Sequence, residues 1–123
     1  MRKLSTKEIE SLLINKQFFD VIVEEQVDST NDIIKSKADE GAKEGLVIIA
    51  NEQISGKGRL GRKFYSPNNT GIYMSILFRP DYEGEKVTLF TTATALAVAK
   101  AIREILCYEA SIKWVNDVLM DGR

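Results

Sequence analysis

Leu46-Val47-Ile48-Ile49-Ala50 runs by way of Gln53 into Gly56-Lys57-Gly58-Arg59-Leu60-Gly61-Arg62-Lys63, and Phe64-Tyr65-Ser66-Pro67-Asn68-Asn69 follows. The first part is a continuous apolar run, as expected of a strand covered on both faces. The second packs three glycines and four cations into eight residues without a carboxylate. Glycines let the backbone curl and bring its N–H groups close to a ligand, and the cations add charge, so the segment suits an anion. Formally it is G-x-G-x-x-G after a strand, the dinucleotide fingerprint. A Rossmann turn must also open a helix whose N-terminus faces the pyrophosphate, and here Pro67 and two asparagines stand where that helix should propagate. A Walker loop fails as well, because Gly56-Lys57 is followed by Gly58 instead of Ser or Thr. Two plainer readings stay open: a solvated basic loop, or, with Phe64 and Tyr65 alongside, a nucleic-acid contact.

The charge balance favours a small anion. From Gln53 to Pro80 there are five Lys or Arg and no Asp or Glu, so a chain of net charge −1 carries −6 elsewhere. An acidic remainder and a pI near 5.5 would repel a phosphate polymer. At 123 residues the chain is expected to form one domain with room for one site. With no histidine and a single cysteine, Cys107, it has no internal disulfide and no zinc or His-based chemistry. Chemistry must come from carboxylates, cations, amides, hydroxyls or a metal held by oxygen. The longest apolar-leaning run, Leu89 to Ala99, is far shorter than the ~20 residues of a membrane span, and Met1 to Glu8 has no signal-peptide core. A cytoplasmic protein without membrane attachment is the expectation. Asn68-Asn69-Thr70 matches the glycosylation triplet and reads as a turn.

Working outward, Ser5-Thr6-Lys7-Glu8 can close a capping box ahead of Ile9, Leu12 and Leu13, predicting a helix from about Thr6 to Asn15. Val21 to Glu25 reads as a strand. Asp28-Ser29-Thr30-Asn31 gathers good N-cap residues, so a second helix should start near Thr30 and stop at Gly41. Gly71 to Phe78 alternates as a strand, and Glu85 to Leu106 carries the longest helical period, rich in alanine. Ser111 to Trp114 and Val118 to Met120 read as strands, with Asp121-Gly122 as a tight turn into a further partner.

Two polar clusters accompany the glycine loop. Lys113-Trp114-Val115-Asn116-Asp117 is plainly read as a strand with Trp114 in the core and Asn116-Asp117 in a turn. Read functionally, Lys113 meets phosphate while Asn116 and Asp117 offer oxygens to Mg²⁺. Asp28 to Asn31 suffices as a helix cap, yet its donors and acceptors beside free helix N–H groups could also grip a small polar ring.

Taken in order, these pieces resemble the catalytic domain of biotin protein ligases: the Ser-Thr-Asn helix start, Gln53 before the glycine-arginine loop, Phe64-Tyr65-Ser66-Pro67, the Tyr73-Met74-Ser75 strand and Lys-Trp-x-Asn-Asp. The resemblance runs from about Val27 to Arg123. It implies an α+β domain with a mixed, largely antiparallel sheet flanked by helices, akin to class II aminoacyl-tRNA synthetases. It also implies activation of biotin by ATP to biotinyl-5′-AMP, then transfer to a lysine of a biotin carboxyl carrier domain of acetyl-CoA carboxylase or a related carboxylase. Biotin would meet Ser29, Thr30, Asn31, Gln53, Gly56, Lys57, Gly58 and Arg59. ATP or the adenylate would meet Arg62, Phe64, Lys113, Asn116 and Asp117, the last two with Mg²⁺. Lys57, Arg59 and Lys113 would be the catalytic cations, since bringing two anions together needs charge and positioning more than a nucleophile. The loop from Gly56 to Phe64 is expected to be disordered without ligand and to close over it.

Departures bear on these expectations. Lys57 stands where Arg is common, keeping charge but losing the bidentate fork, and Val115 replaces a frequent Pro. Ligases of this type continue beyond Arg123, so residues 1–123 are expected to be a partial catalytic domain, with 1–20 as a helix and lead-in and without a C-terminal domain. Activity of such a piece is doubtful, and a non-catalytic biotin-binding module or a lipoate-ligase-like enzyme is the alternative. Nothing before Leu4 resembles a winged-helix DNA-binding domain, so no nucleic-acid partner is expected. A sheet lacking its next strands would expose an edge suited to a homodimer.

Overall fold

Strand β2, Leu46–Ala50, is buried along its whole length, and the rest of its unit is built around it. In the computed structural model, which describes residues 3–81, 84–114 and 116–123, β2 pairs in parallel with β1 (Asp20–Glu24) and antiparallel with β3 (Tyr73–Ile76). The continuous apolar sequence follows from this central place, because both faces need cover. On one face Leu46 and Ile48 pack with Ile34 of helix α2 (Thr30–Asp39). On the other, Val47 and Ile49 pack with Val21, and Leu4, Ile9, Leu13 and Phe19 from α1 (Thr6–Leu12) and its flanks close over them.

The helices begin where their caps are. Ser5 Oγ accepts from Glu8 N, the first bond of a capping box, and its hydroxyl donates to the Glu8 carboxylate. Ser29 Oγ accepts from Asp32 N at the start of α2. The far end of α2 stops at Gly41 with φ +92, and the Arg79 guanidinium donates to the carbonyls of Ala38 and Ala42, meeting the negative end of the helix dipole. Helix α1 ends at Leu12 and not at Asn15, because Leu13 is already extended at ψ 131 and turns its side chain into the core.

The chain divides into two compact units, Met1–Arg79 and Pro80–Arg123, where a single domain was expected. In the second, helix α3 (Lys86–Leu106) packs on an antiparallel hairpin of β4 (Ala110–Lys113) and β5 (Asp117–Met120). Ala95 and Ala99 are the buried positions of α3, as its alanine content suggested. Trp114 is not in a core: it stands in the hairpin turn and is 74% exposed. Asp117 belongs to β5 instead of the turn, while Val115 lies outside the described residues, as do Met1 and Arg2. Strand β5 pairs back with β4, and Asp121-Gly122 forms a second tight turn with both φ positive and reciprocal Met120–Arg123 hydrogen bonds. Among the described residues no helix is long and apolar enough to cross a membrane. The architecture is the α+β one expected, a mixed sheet flanked by helices together with an antiparallel hairpin.

Gly41 and Gly45 have nearly equal positive φ, +92 and +93, but only at Gly45 would a Cβ overlap a neighbour, the Phe18 carbonyl oxygen. Gly41→Ala is therefore expected to cost about 1–2 kcal/mol from backbone strain alone, and Gly45→Ala on the order of 3 kcal/mol or more. Urea denaturation of the two variants beside the parent chain measures the difference.

Candidate functional site

The parallel course of β1 and β2 continues beyond their ends. Asn51 N donates to Glu24 O, Val27 N to Glu52 O, Ile54 N to Val27 O and Ser55 N to Asp28 O. This carries Asp28 to Asn31 alongside Gln53 to Ser55, so the cap of α2 and the entrance to the glycine loop meet at one end of the sheet.

The Gln53 side chain joins them. Its Oε1 accepts from Thr30 N at 2.8 Å and lies 3.0 Å from Thr30 Oγ1, while its Nε2 donates to Ser66 Oγ at 2.9 Å. Ser66 Oγ donates to Phe64 O, and Ser66 O accepts from Gln53 N. On the other side Thr30 Oγ1 lies 2.9 Å from Ser75 Oγ, which is 2.6 Å from Asn31 Oδ1. Ser29, Thr30, Ser66 and Ser75 are all buried. A hydroxyl carries one proton. In this relay from Asn31 through Ser75 and Thr30 to Gln53, Thr30 Oγ1 donates to Gln53 Oε1 and Ser75 Oγ donates to Asn31 Oδ1, so both protons are used and both hydroxyl oxygens keep lone pairs.

The glycine loop is a formed hairpin. Phe64 N donates to Gly56 O, Gly58 N to Arg62 O, and Lys57 pairs with Lys63 in an antiparallel bridge. Its tip is a tight turn in which Arg62 N donates to Arg59 O with Leu60 and Gly61 both at positive φ, and the chain then extends at Arg62, so no Rossmann helix follows. Gly56 is required: a Cβ there would overlap Phe64 O, stand 2.5 Å from Ser66 Oγ and 2.9 Å from Gln53 Nε2. The hairpin thus rises directly from the hydroxyl relay. Arg59, Arg62 and Lys63 are exposed along it, Phe64 is 57% exposed, and Lys57 bonds the Asp32 carboxylate.

The first unit therefore gathers Ser29, Thr30, Asn31, Gln53 and the segment from Gly56 to Phe64 around one end of its sheet. Lys113, Asn116 and Asp117 lie in the second unit, all exposed, with Asn116 Nδ2 3.4 Å from Asp117 Oδ1. Among the described residues no cluster of three His, Cys, Asp or Glu could hold a metal. Sequence reading missed Ser66, Ser75 and Asp32 as site members. Ser66 and Ser75 lie inside stretches singled out for other reasons, and the sign of their role is burial of a hydroxyl, which a linear sequence does not display. Asn68 Oδ1 is buried without a partner within the turn expected at Asn68-Asn69.

The chain belongs to the biotin/lipoate A/B protein ligase family, which matches residues 23–123. It is 33% identical over 103 residues to the bifunctional ligase/repressor BirA of Bacillus subtilis, covering 84% of this chain and 32% of that protein. It is 32% identical over 102 residues to the biotin--[acetyl-CoA-carboxylase] ligase of Mycobacterium tuberculosis, with 79% and 38% covered. The biotin protein ligase of Aquifex aeolicus, solved in complex with biotin and ATP, has a similar fold with a TM-score of 0.71 at 35% identity, over 80% of this chain and 40% of that one. The chain thus spans about a third of the length of the curated relatives it matches.

Replacing Gln53 by Leu leaves the Thr30 amide and hydroxyl and the Ser66 hydroxyl short of a partner in a buried place. Gln53→Leu is expected to destabilise the first unit by about 1–3 kcal/mol, read as loss of protection of the Thr30 amide in hydrogen exchange.

Proposed function

We propose that this chain is part of the catalytic domain of a biotin protein ligase, and that Ser29, Thr30, Asn31, Gln53 and the segment Gly56 to Arg59 receive biotin. The observation that carries this reading is the set of buried hydroxyls, joined through the side-chain amide of Gln53, from which a cationic hairpin directly rises. A neutral ureido ring offers two N–H donors and a carbonyl, which suit the free lone pairs of the relay and nearby N–H groups. The valerate carboxylate of the same molecule suits the charges of the loop. One ligand is then read in two ways at two adjacent places.

The reaction fits residues that position and neutralise. A biotin carboxylate oxygen attacks the α-phosphorus of ATP, the bond to pyrophosphate breaks, and biotinyl-5′-AMP forms. The amine of an acceptor lysine on a biotin carboxyl carrier domain then attacks the acyl carbon, AMP leaves, and the amine loses a proton. Both partners of the first step are anions, so Arg59 and its neighbours lower the cost of their approach. Arg62 and Phe64 would flank the nucleotide, and Lys113 would meet its phosphates. Asn116 and Asp117 supply one carbonyl and one carboxylate, a donor set that suits Mg²⁺ when waters and phosphate oxygens complete its shell. Mg²⁺ bound there would supply charge neutralisation on the phosphates.

The family also embraces lipoate ligases. Lipoate carries a dithiolane ring with no N–H, which would leave the buried lone pairs of Thr30 and Ser75 without a donor, and that favours biotin.

Calorimetric titration of biotin into this chain, alone and with a non-hydrolysable ATP analogue and Mg²⁺, tests the reading. Saturable binding at one site, weakened at least about tenfold by Thr30→Val (about 1.4 kcal/mol), and unaffected by excess lipoate, is the expected result. Binding without formation of adenylate from ATP would mark a binding module. No binding by the folded chain would remove the proposal that these residues alone make the pocket.

A further inference from the structure

The Lys57 ammonium lies 2.7 Å from Asp32 Oδ2 and 2.9 Å from Asp32 Oδ1, so both carboxylate oxygens face it. Asp32 occupies the first turn of α2, two residues after Thr30, and its backbone N–H is the one that Ser29 caps. Lys57 is the first cation of the hairpin, directly after Gly56 and paired across the bridge with Lys63. One ion pair therefore fastens the hairpin to the helix that carries the hydroxyl relay. Half of each side chain remains exposed, 52% for Lys57 and 42% for Asp32.

We propose that Asp32 is a positioning residue and Lys57 a tether, not a ligand for the bound carboxylate: their ion pair holds the cationic hairpin against α2. This rests on the biotin-site reading above, and deepens it by reassigning Lys57. The pairing has a physical logic. Four cations on one short hairpin repel one another and would repel the close approach of their own strands at Lys57 and Lys63. A fixed carboxylate at the base relieves this without lying at the tip. A lysine serves as a tether where an arginine would serve as a two-pronged anion clamp, since the ammonium offers a compact point charge.

Hydrogen exchange of the Gly58 and Phe64 amides, whose acceptors are Arg62 O and Gly56 O, reads the hairpin without any ligand. Asp32→Asn and Lys57→Met are each expected to speed exchange about two- to fivefold, the range of a half-exposed ion pair. Lys57→Arg should keep the slow rate, and the double reversal Asp32→Lys with Lys57→Asp should restore it. One molar salt should bring the parent chain toward the single variants. Single variants exchanging at the parent rate, or a reversal as fast as the singles, would overturn the tether.

Biotin titration supplies the second arm. A tether predicts that Lys57→Met and Asp32→Asn weaken biotin binding by the same factor, because either one breaks the pair. A lysine that touched the carboxylate directly would instead make Lys57→Met weaken binding at least about tenfold more than Asp32→Asn, and this outcome would overturn the reassignment. If the parent chain binds no biotin, the functional reading fails by itself, and the exchange arm still decides whether the ion pair holds the hairpin.

Discussion

The side-chain amide of Gln53 is the constraint on which the site depends. It bonds at once to the start of α2, through Thr30 N and Oγ1, and to the returning arm of the hairpin, through Ser66. An amide alone can do this, since it presents two lone pairs at one end and two N–H donors at the other. A carboxylate would face Ser66 with acceptors only and would carry a charge into a site where three neighbouring hydroxyls are buried. Because the backbone of Gln53 also bridges to Val27 and Ser66, its side chain inherits its position from the sheet. Nothing at this end of the site floats on a loop by itself.

Much of this was legible in the sequence where the signal is local. The continuous apolar run of β2, the Ser5 and Ser29 caps, and the turns at Asn68-Asn69 and Asp121-Gly122 each act within a few residues, and each stands where it was expected. The absence of a helix after Gly61 was legible for the same reason, because Pro67 and its asparagines act locally. What was not legible depends on partners far along the chain. Ser75 lies 45 residues from Thr30, and Lys57 lies 25 from Asp32. Hydropathy alone would bury Met74 of the third strand and Ile72 just before it, yet Tyr73 and Ser75 are the buried pair and Ile72 is 67% exposed. Ser75 is inside because Thr30 and Asn31 satisfy its hydroxyl, which turns a polar residue into an acceptable core position. Trp114 failed in the opposite sense: its size argued for a core, and its place in the hairpin turn between Lys113 and Asp117 put it outside.

Glycine at 56 marks where two kinds of group meet. The hydroxyls of Thr30, Ser66 and Ser75 are buried and held by fixed partners. Arg62 and Lys63 of the hairpin are exposed, where a hydrated charge costs little to carry. A residue with any side chain at 56 would push Phe64 O and Ser66 away from Gln53 and part the two regions. Removing one Cβ lets the neutral contacts and the charges stand a few bonds apart along the same backbone.

That closeness also sets the demand on the loop. In a reaction between a carboxylate and a phosphate, displacement of a charge by even an ångström changes the stabilisation of the meeting anions, and a half-hydrated loop offers no packing to prevent it. Leu60 at the tip has a left-handed backbone and is 92% exposed, so nothing apolar fixes the tip in place. Restraints at the base of the hairpin include the Gly56–Phe64 and Gly58–Arg62 hydrogen bonds, the Gln53–Ser66 clamp and the Lys57–Asp32 pair, and Arg62 N closes the tip on Arg59 O. Each of these ties the loop to itself, to α2 or to the end of the sheet, so the geometry of the hairpin follows from the same contacts that build the first unit.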